Sequence, residues 1–168
     1  VALTDVGMLQ VASESLIDRS KSMKTELMHI FEEVNTSIEG IDNYNACYGG
    51  TAALLSCTNW VQSDAWDGRW AIAVPTDICD ATAQYPFFHG AAAVAMLVGP
   101  DAPLRLDSQR ASHIVPRWDF YKPAGWDVMA PIMDGPGSVE VYHECLTECR
   151  ARYLAQVGGA SLHEEHDF

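Results

Sequence analysis

Basic residues are scarce in this chain. Among 168 residues there are 10 Lys plus Arg against 23 Asp plus Glu, for a formal net charge of -13. Neutralising a phosphate backbone takes clustered Lys and Arg, so this balance excludes a broad nucleic-acid-binding face. It leaves room for a small anionic ligand held by a few local groups. Long apolar runs are also missing. The longest, "GAAAVAMLVG" from Gly90 to Gly99, is about half of what a membrane-crossing helix needs. No membrane partner is expected. Cysteine is present five times, an odd number without disulfide-scaffold density. These thiols are read as reduced, in an intracellular compartment. No secretory signal, internal repeat or low-complexity tract is visible. The sequence begins at Val1 rather than Met, so a processed, cut or partial start is expected.

What is present is typical of a soluble globular α/β domain, with 48% hydrophobic and 20% charged residues. "VGMLQVAS", Val6 to Ser13, is a strand candidate. The stretch "SLIDRSKSMKTELMHIFEEV" follows, with Met23, Leu27, Ile30, Phe31 and Val34 at helical spacing. "IEGID" is a short strand candidate. "CYGGTAALLSCTNWV", Cys47 to Val61, predicts a helix buried on several sides, because it is almost free of charge. Its two glycines lower helix propensity by roughly 1 kcal/mol each. Their presence points to a close approach of something to the backbone. "RWAIAVPTD" has the continuous apolar centre of a parallel strand covered on both faces. Strand, helix and strand make a βαβ unit. "AAAVAMLVG" reads as one further buried strand, with "PLRLD" beside it. His113 to Ser138 reads as a long excursion over the core, Val139 to Val157 as a helix, and residues 158–168 as a polar tail after a domain of residues 1–157.

One thiol stands out. In "NACYGGTAAL", Cys47 directly precedes a glycine-rich helix start. A helix N-terminus lowers a thiol's pKa and points amides at a developing oxyanion. The competing reading is packing, which the local pattern alone favours. Glu14, between Ser13 and Ser15 at a strand-to-helix junction, is a candidate general base. Its competing reading is a carboxylate stabilised by a helix start. Two metal readings are weaker. Cys145 and Cys149 with His143 lack a matching second pair, and "HEEH" near the terminus fits an acidic tail better. "GGTAAL" lacks the lysine of a phosphate loop.

The segments "SLIDRSKSMKTELMHIFEE", "IEGIDNYNACYGG", "NWVQSDAWDGRW", "AMLVGPDAPL", "WDFYKP" and "MDGPGS" occur in this order. Together with "NACYGGTAAL" they resemble the 3-hydroxy-3-methylglutaryl-CoA synthase family, up to about Tyr153. The resemblance implies a partial, thiolase-like layered αβαβα fold, roughly the nucleophile-bearing N-terminal half. It implies that Cys47 accepts an acetyl group from acetyl-CoA as a thioester. Glu14 then takes a proton from the acetyl methyl, the carbanion attacks acetoacetyl-CoA, and hydrolysis frees the product. It matches Asp77 and Asp119 to supporting aspartates and Ser138 to a serine contacting the acyl-CoA. The bland readings for these three are hydrogen bonds to loop amides and a turn or helix cap. The resemblance further implies CoA thioesters as substrates, no separate cofactor and no metal. It implies a homodimer or a partner chain, a cytoplasmic or mitochondrial setting, and a place in the mevalonate route to isoprenoids.

Departures from the family qualify this. "DICDATAQYPFFHG", Asp77 to Gly90, lacks the tyrosine expected soon after Asp77. Gln84 and Phe88 stand nearest to a substrate-contacting Asn and Thr, and Phe87 and Phe88 are candidates to fill the acyl pocket. The family is two or three times longer, and its catalytic histidine has no match among the six here. His163 and His166 fall just before its place, and His113 matches a non-catalytic position. The expectation is therefore a fragment, one subunit of a split enzyme, or a non-catalytic remnant. A carrier-protein-dependent relative is the remaining alternative.

Overall fold

In the computed structural model, residues 1–16, 18, 20–79, 90–121 and 132–158 are described. They belong to two compact units, Val1–Pro103 and Leu104–Phe168. The Asp80–His89 stretch, with Gln84, Phe87 and Phe88, lies outside the described residues, as do His163 and His166.

The first unit is built around β1 (Val6–Ala12), all seven of whose residues are buried. Parallel partners flank it on both edges, β2 (Asp42–Asn43) on one and β3 (Trp70–Cys79) on the other. One face packs Met8 and Ala12 with Ala71 and Ala73 of β3 under α2 (Gly49–Val61), through Ala53 and Cys57. The other packs Val6, Leu9 and Val11 against Phe31 and Ile38. Val6 and Leu9 share a face despite their three-residue spacing because the ladder shifts register between Val6 and Met8. Burying a side chain such as Leu9 contributes about 1.5–3 kcal/mol. Cys57, fully buried at the centre of the α2 contact, has its thiol pKa pushed up to about 12 by desolvation.

The long helix expected between Leu16 and Val34 is much shorter. It is α1 (Met23–Leu27), continued by one 3-10 turn over Met28–Ile30. Its start is fixed from two sides. The Ser22 hydroxyl accepts from the Thr25 N–H at 3.0 Å, and the Asp42 carboxylate accepts from Met23 and Lys24 at 2.7 and 2.9 Å. Its end is fixed by Asn35, whose amide donates to the carbonyls of Leu3 and Val6, both at 2.9 Å. The turn brings Phe31 and Ile38 onto β1. Segment 39–43 then runs beside β1, with Leu9 N–H donating to Glu39 at 2.8 Å and Val11 N–H to Ile41 at 3.1 Å.

The strand expected to be buried, "AAAVAMLVG", forms two pieces, β4 (Gly90–Ala93), exposed throughout, and β5 (Met96–Val98), partly exposed, both antiparallel to β3 and in one shared register. The break falls at Val94, opposite Pro75. Proline has no N–H to donate, so only one bond survives there, from Val94 N–H to the Pro75 carbonyl at 3.0 Å. "PLRLD" forms no strand. Helix α2 is covered on one face only among the described residues, through Gly49, Ala53, Cys57 and Thr58.

In the second unit, β6 (Phe120–Tyr121) and β7 (Ile132–Met133) form an antiparallel pair. Helix α3 (Gly135–Gln156) begins earlier than the sequence suggests, inside "MDGPGS". Asp134 is its N-cap, accepting from Gly137 N–H at 3.1 Å, and Pro136 sits in the first turn where no N–H is needed. None of the residues of α3 is buried.

Candidate active site

Parallel strands end together, so β1, β2 and β3 deliver their following residues to one edge of the sheet. Ser13 and Glu14 follow β1, Cys47 follows β2 by four residues, and Asp77 lies on β3 past the last β1 pairing at Pro75. In open α/β sheets this carboxyl edge is where ligands bind. The Cys47 thiol donates to Glu14 Oε1 at 3.6 Å, and Cys47 is exposed while Glu14 is half-buried. The two residues singled out as nucleophile and base are thus brought together from 33 positions apart.

The loop that presents Cys47 is tight. Ala46 has φ +41°, a left-handed conformation uncommon for a residue with a side chain. The turn closes through Tyr48 N–H to Asn45 at 3.0 Å and Gly49 N–H to Ala46 at 3.2 Å. No side chain caps the N-terminus of α2 and its first turn holds no acidic residue. The first turn of α2, two residues after Cys47, therefore brings no carboxylate of its own to its positive end. What approaches the two glycines is the sheet itself. A Cβ on Gly49 would lie 3.0 Å from the Asn43 carbonyl oxygen, and one on Gly50 would lie 3.0 Å from the Pro75 ring. Only glycine lets the helix start this close to the strand ends.

Asp77 organises the other half. Its Oδ1 accepts from Ser13 Oγ at 3.0 Å, Glu14 N–H at 2.9 Å and Ser15 Oγ at 2.8 Å. The two serines had no assigned role in the sequence reading. The only signal was the pair of hydroxyls flanking Glu14. A groove of about 490 Å³ lined by Leu16, Asp18, Ser22, Asp42 and Tyr44, among others, opens beside these loops.

Asp119 and Ser138 lie in the second unit. Asp134 N–H donates to the Asp119 carbonyl and Ser138 N–H to the Asp134 carbonyl, each at 2.8 Å. They are thus drawn together around the start of α3, where the cap is Asp134 and not Ser138. Among the described residues no group of three His, Cys, Asp or Glu gathers to hold a metal, Cys145 and Cys149 included. No described helix is long and apolar enough to cross a membrane.

A thiol on a strand-to-helix loop thus meets a carboxylate at the carboxyl ends of three parallel strands, in an α/β unit. The family profile "Hydroxymethylglutaryl-coenzyme A synthase N terminal" matches residues 1–103. The chain belongs to this family. It is 48% identical over 159 residues to the mitochondrial hydroxymethylglutaryl-CoA synthase of Sus scrofa, covering 90% of the chain and 30% of the relative. It is 44% identical over 167 residues to the cytoplasmic enzyme of Homo sapiens, covering 96% and 32%. Among solved structures, MvaS in complex with 3-hydroxy-3-methylglutaryl coenzyme A superimposes with TM-score 0.80 at 29% identity, over 96% of this chain and 40% of that one. The curacin-pathway HMG synthase in complex with holo donor-ACP matches in fold, with TM-score 0.82 at 24% identity over 99% of this chain and 41% of that one. The fold is therefore α/β and thiolase-like, and partial. The chain spans about a third of the length of the curated relatives it matches.

Proposed function

We propose that this chain is the nucleophile-bearing part of an acyl-CoA condensing enzyme of the hydroxymethylglutaryl-CoA synthase type. The observation that carries the reading is the 3.6 Å contact between Cys47 Sγ and Glu14 Oε1 beside an uncapped helix start. Cys47, as thiolate, attacks the carbonyl carbon of acetyl-CoA. A carbon–sulfur bond forms to Sγ, the bond from the acetyl carbon to CoA breaks, and CoA leaves as its thiol with the proton that Glu14 took from Cys47. The thioester acidifies the acetyl methyl, and Glu14 takes a proton from it. Backbone N–H groups at the start of α2 stabilise the enolate oxygen. The carbanion adds to the ketone of acetoacetyl-CoA. Water then cleaves the Cys47 thioester, giving 3-hydroxy-3-methylglutaryl-CoA and restoring the thiol.

Asp77 supports Glu14 through the loop it holds, Asp119 supports the site, and Ser138 contacts the acyl-CoA. The substrates are acetyl-CoA and acetoacetyl-CoA, without a further cofactor or a metal. A homodimer, or a partner chain carrying the remaining part, completes the catalytic body. The working compartment is the cytoplasm or the mitochondrion.

The test is intact mass after incubation with acetyl-CoA, with the chain alone and with the remaining two thirds of a relative supplied. One acetyl group is expected, lost in Cys47→Ala. No adduct in either arm overturns the reading. The departures between Asp77 and Gly90 favour a second reading, a non-catalytic subunit keeping the fold. A cleft beside Cys47 filled by Phe87 or Phe88 supports that second reading, and an open one counts against it. Replacing acetyl-CoA by an acetyl carrier protein separates the CoA-dependent enzyme from its carrier-protein-dependent counterpart.

A further inference from the structure

The β1–β3 ladder ends at the Ala12–Pro75 pair, yet β3 continues to Cys79. Beyond that point the place of β1 is taken by side chains. The Ser15 hydroxyl accepts from Ile78 N–H at 3.1 Å. Its single proton is shared between two acceptors, Asp77 Oδ1 at 2.8 Å and the Ile78 carbonyl at 3.0 Å. Ser15 N–H in turn donates to Ser13 Oγ at 3.0 Å. The hydroxyl of Ser15 therefore closes a bridge from the loop carrying Glu14 onto the backbone of β3. Glu14 adds its own N–H to the same carboxylate, donating to Asp77 at 2.9 Å.

We propose that Ser15 is the positioning residue for Glu14: its hydroxyl extends the β1–β3 ladder by side-chain hydrogen bonds and fixes the carboxylate on the Cys47 thiol. This rests on the thiol–carboxylate pairing of the proposed function but needs no acyl donor to be tested. A free loop would let Glu14 swing into water and sever the pair. Threonine keeps the hydroxyl and preserves the bridge. Alanine and valine remove it, valine with the shape of threonine.

The experiment reads the pH profile of Cys47 alkylation by iodoacetamide, residue by residue in peptide mass spectra of the whole chain. A carboxylate against a thiol disfavours the thiolate. Glu14→Gln is expected to move the Cys47 midpoint toward acid by about 0.8 pH unit, the effect of a unit charge at 3.6 Å across water. Among the described residues, the other ionisable groups at this edge include Asp42, Tyr44, Tyr48, Asp77 and Cys79, which these substitutions leave in place. Ser15→Ala and Ser15→Val are expected to move the midpoint the same way by about half as much, a carboxylate that visits the thiol only part of the time. Ser15→Thr is expected to keep the wild-type midpoint, and Ser15→Ala is expected to add nothing to Glu14→Gln. Buried Cys57, protected from alkylation in each variant, reports that the fold is intact. A Ser15→Ala or Ser15→Val midpoint equal to wild type, with Glu14→Gln shifted, overturns the positioning role alone. An unshifted Glu14→Gln overturns the pairing, and the proposed function with it.

Discussion

The two units of this chain solve the problem of folding differently. All the residues classed as buried among those described lie in Val1–Pro103, arranged on both faces of one strand. The described part of Leu104–Phe168 has none. Its apolar side chains, Leu104, Ile114 and Trp118 among them, are 89%, 90% and 78% exposed. A parallel strand can be sealed by its own neighbours within about a hundred residues. A 22-residue helix whose apolar residues make no continuous stripe cannot seal itself. The Cys47–Glu14 contact sits on the unit that owns a core.

The sharpest way to break this contrast is a matched truncation. Leu9→Ala in β1 is expected to destabilise the first unit by about 2–5 kcal/mol, whereas Leu104→Ala is expected to stay within about 0.5 kcal/mol. Urea unfolding of both variants checks it, and equal losses would show that the second unit has a core of its own.

A glycine pair gives opposite signs. Gly49→Ala puts a Cβ against the Asn43 carbonyl and is expected to cost about 1–3 kcal/mol despite its better helix propensity. A Cβ on Gly90 in β4 meets nothing within 4 Å and the backbone there is not left-handed, so Gly90→Ala is expected to gain about 0.4–1 kcal/mol. Thermal unfolding followed by circular dichroism distinguishes them.

The N-cap comes next. Asp134→Ala is expected to cost about 1 kcal/mol. Amide exchange should rise in the first turn of α3 and stay unchanged in β1. A loss of protection in β1 would mean that the two units unfold as one.

The smallest effect concerns Asp67. The Arg69 guanidinium, which also donates to the carbonyls of Val6 and Ser37 at 3.0 and 2.8 Å, holds the Asp67 carboxyl below its ordinary value. A carboxyl depressed on folding stabilises above its unfolded pKa, and that contribution disappears as pH falls through the folded one. Asp67→Asn is therefore expected to lower stability at neutral pH by at most about 1 kcal/mol, because the pair is solvent-exposed. The gap to wild type should close as pH drops below the ordinary carboxylate range and shrink with salt. A gap independent of pH would assign the effect to packing.

Much of this was legible along the chain. "VGMLQVAS" was legible as a strand and the continuous apolar centre of "RWAIAVPTD" as a parallel one, although β3 alternates buried and half-buried residues there while β1 is buried throughout. The charge-free stretch after Cys47 announced α2. The α1 region was misread because helical spacing does not reveal competing caps. Asp42, nineteen residues after Met23, and Asn35 end that helix from a distance. The interruption between β4 and β5 was hidden because its cause, Pro75, lies on the opposite strand. Ser13 and Ser15 carried no periodic or motif signal, since their partner Asp77 is more than sixty residues away.

Composition and order of segments by themselves determined the α/β class and the family, and the family resemblance singled out Cys47 and Glu14 as the candidate pair. Those properties are carried by residue type and local pattern. Only the tertiary structure decided that the two side chains meet. It also decided that the sheet edge comes close to the glycines of α2, and that a hydroxyl beside Glu14 ties its loop to β3. Each depends on where parallel strands end relative to one another, a distance in space that no local pattern encodes.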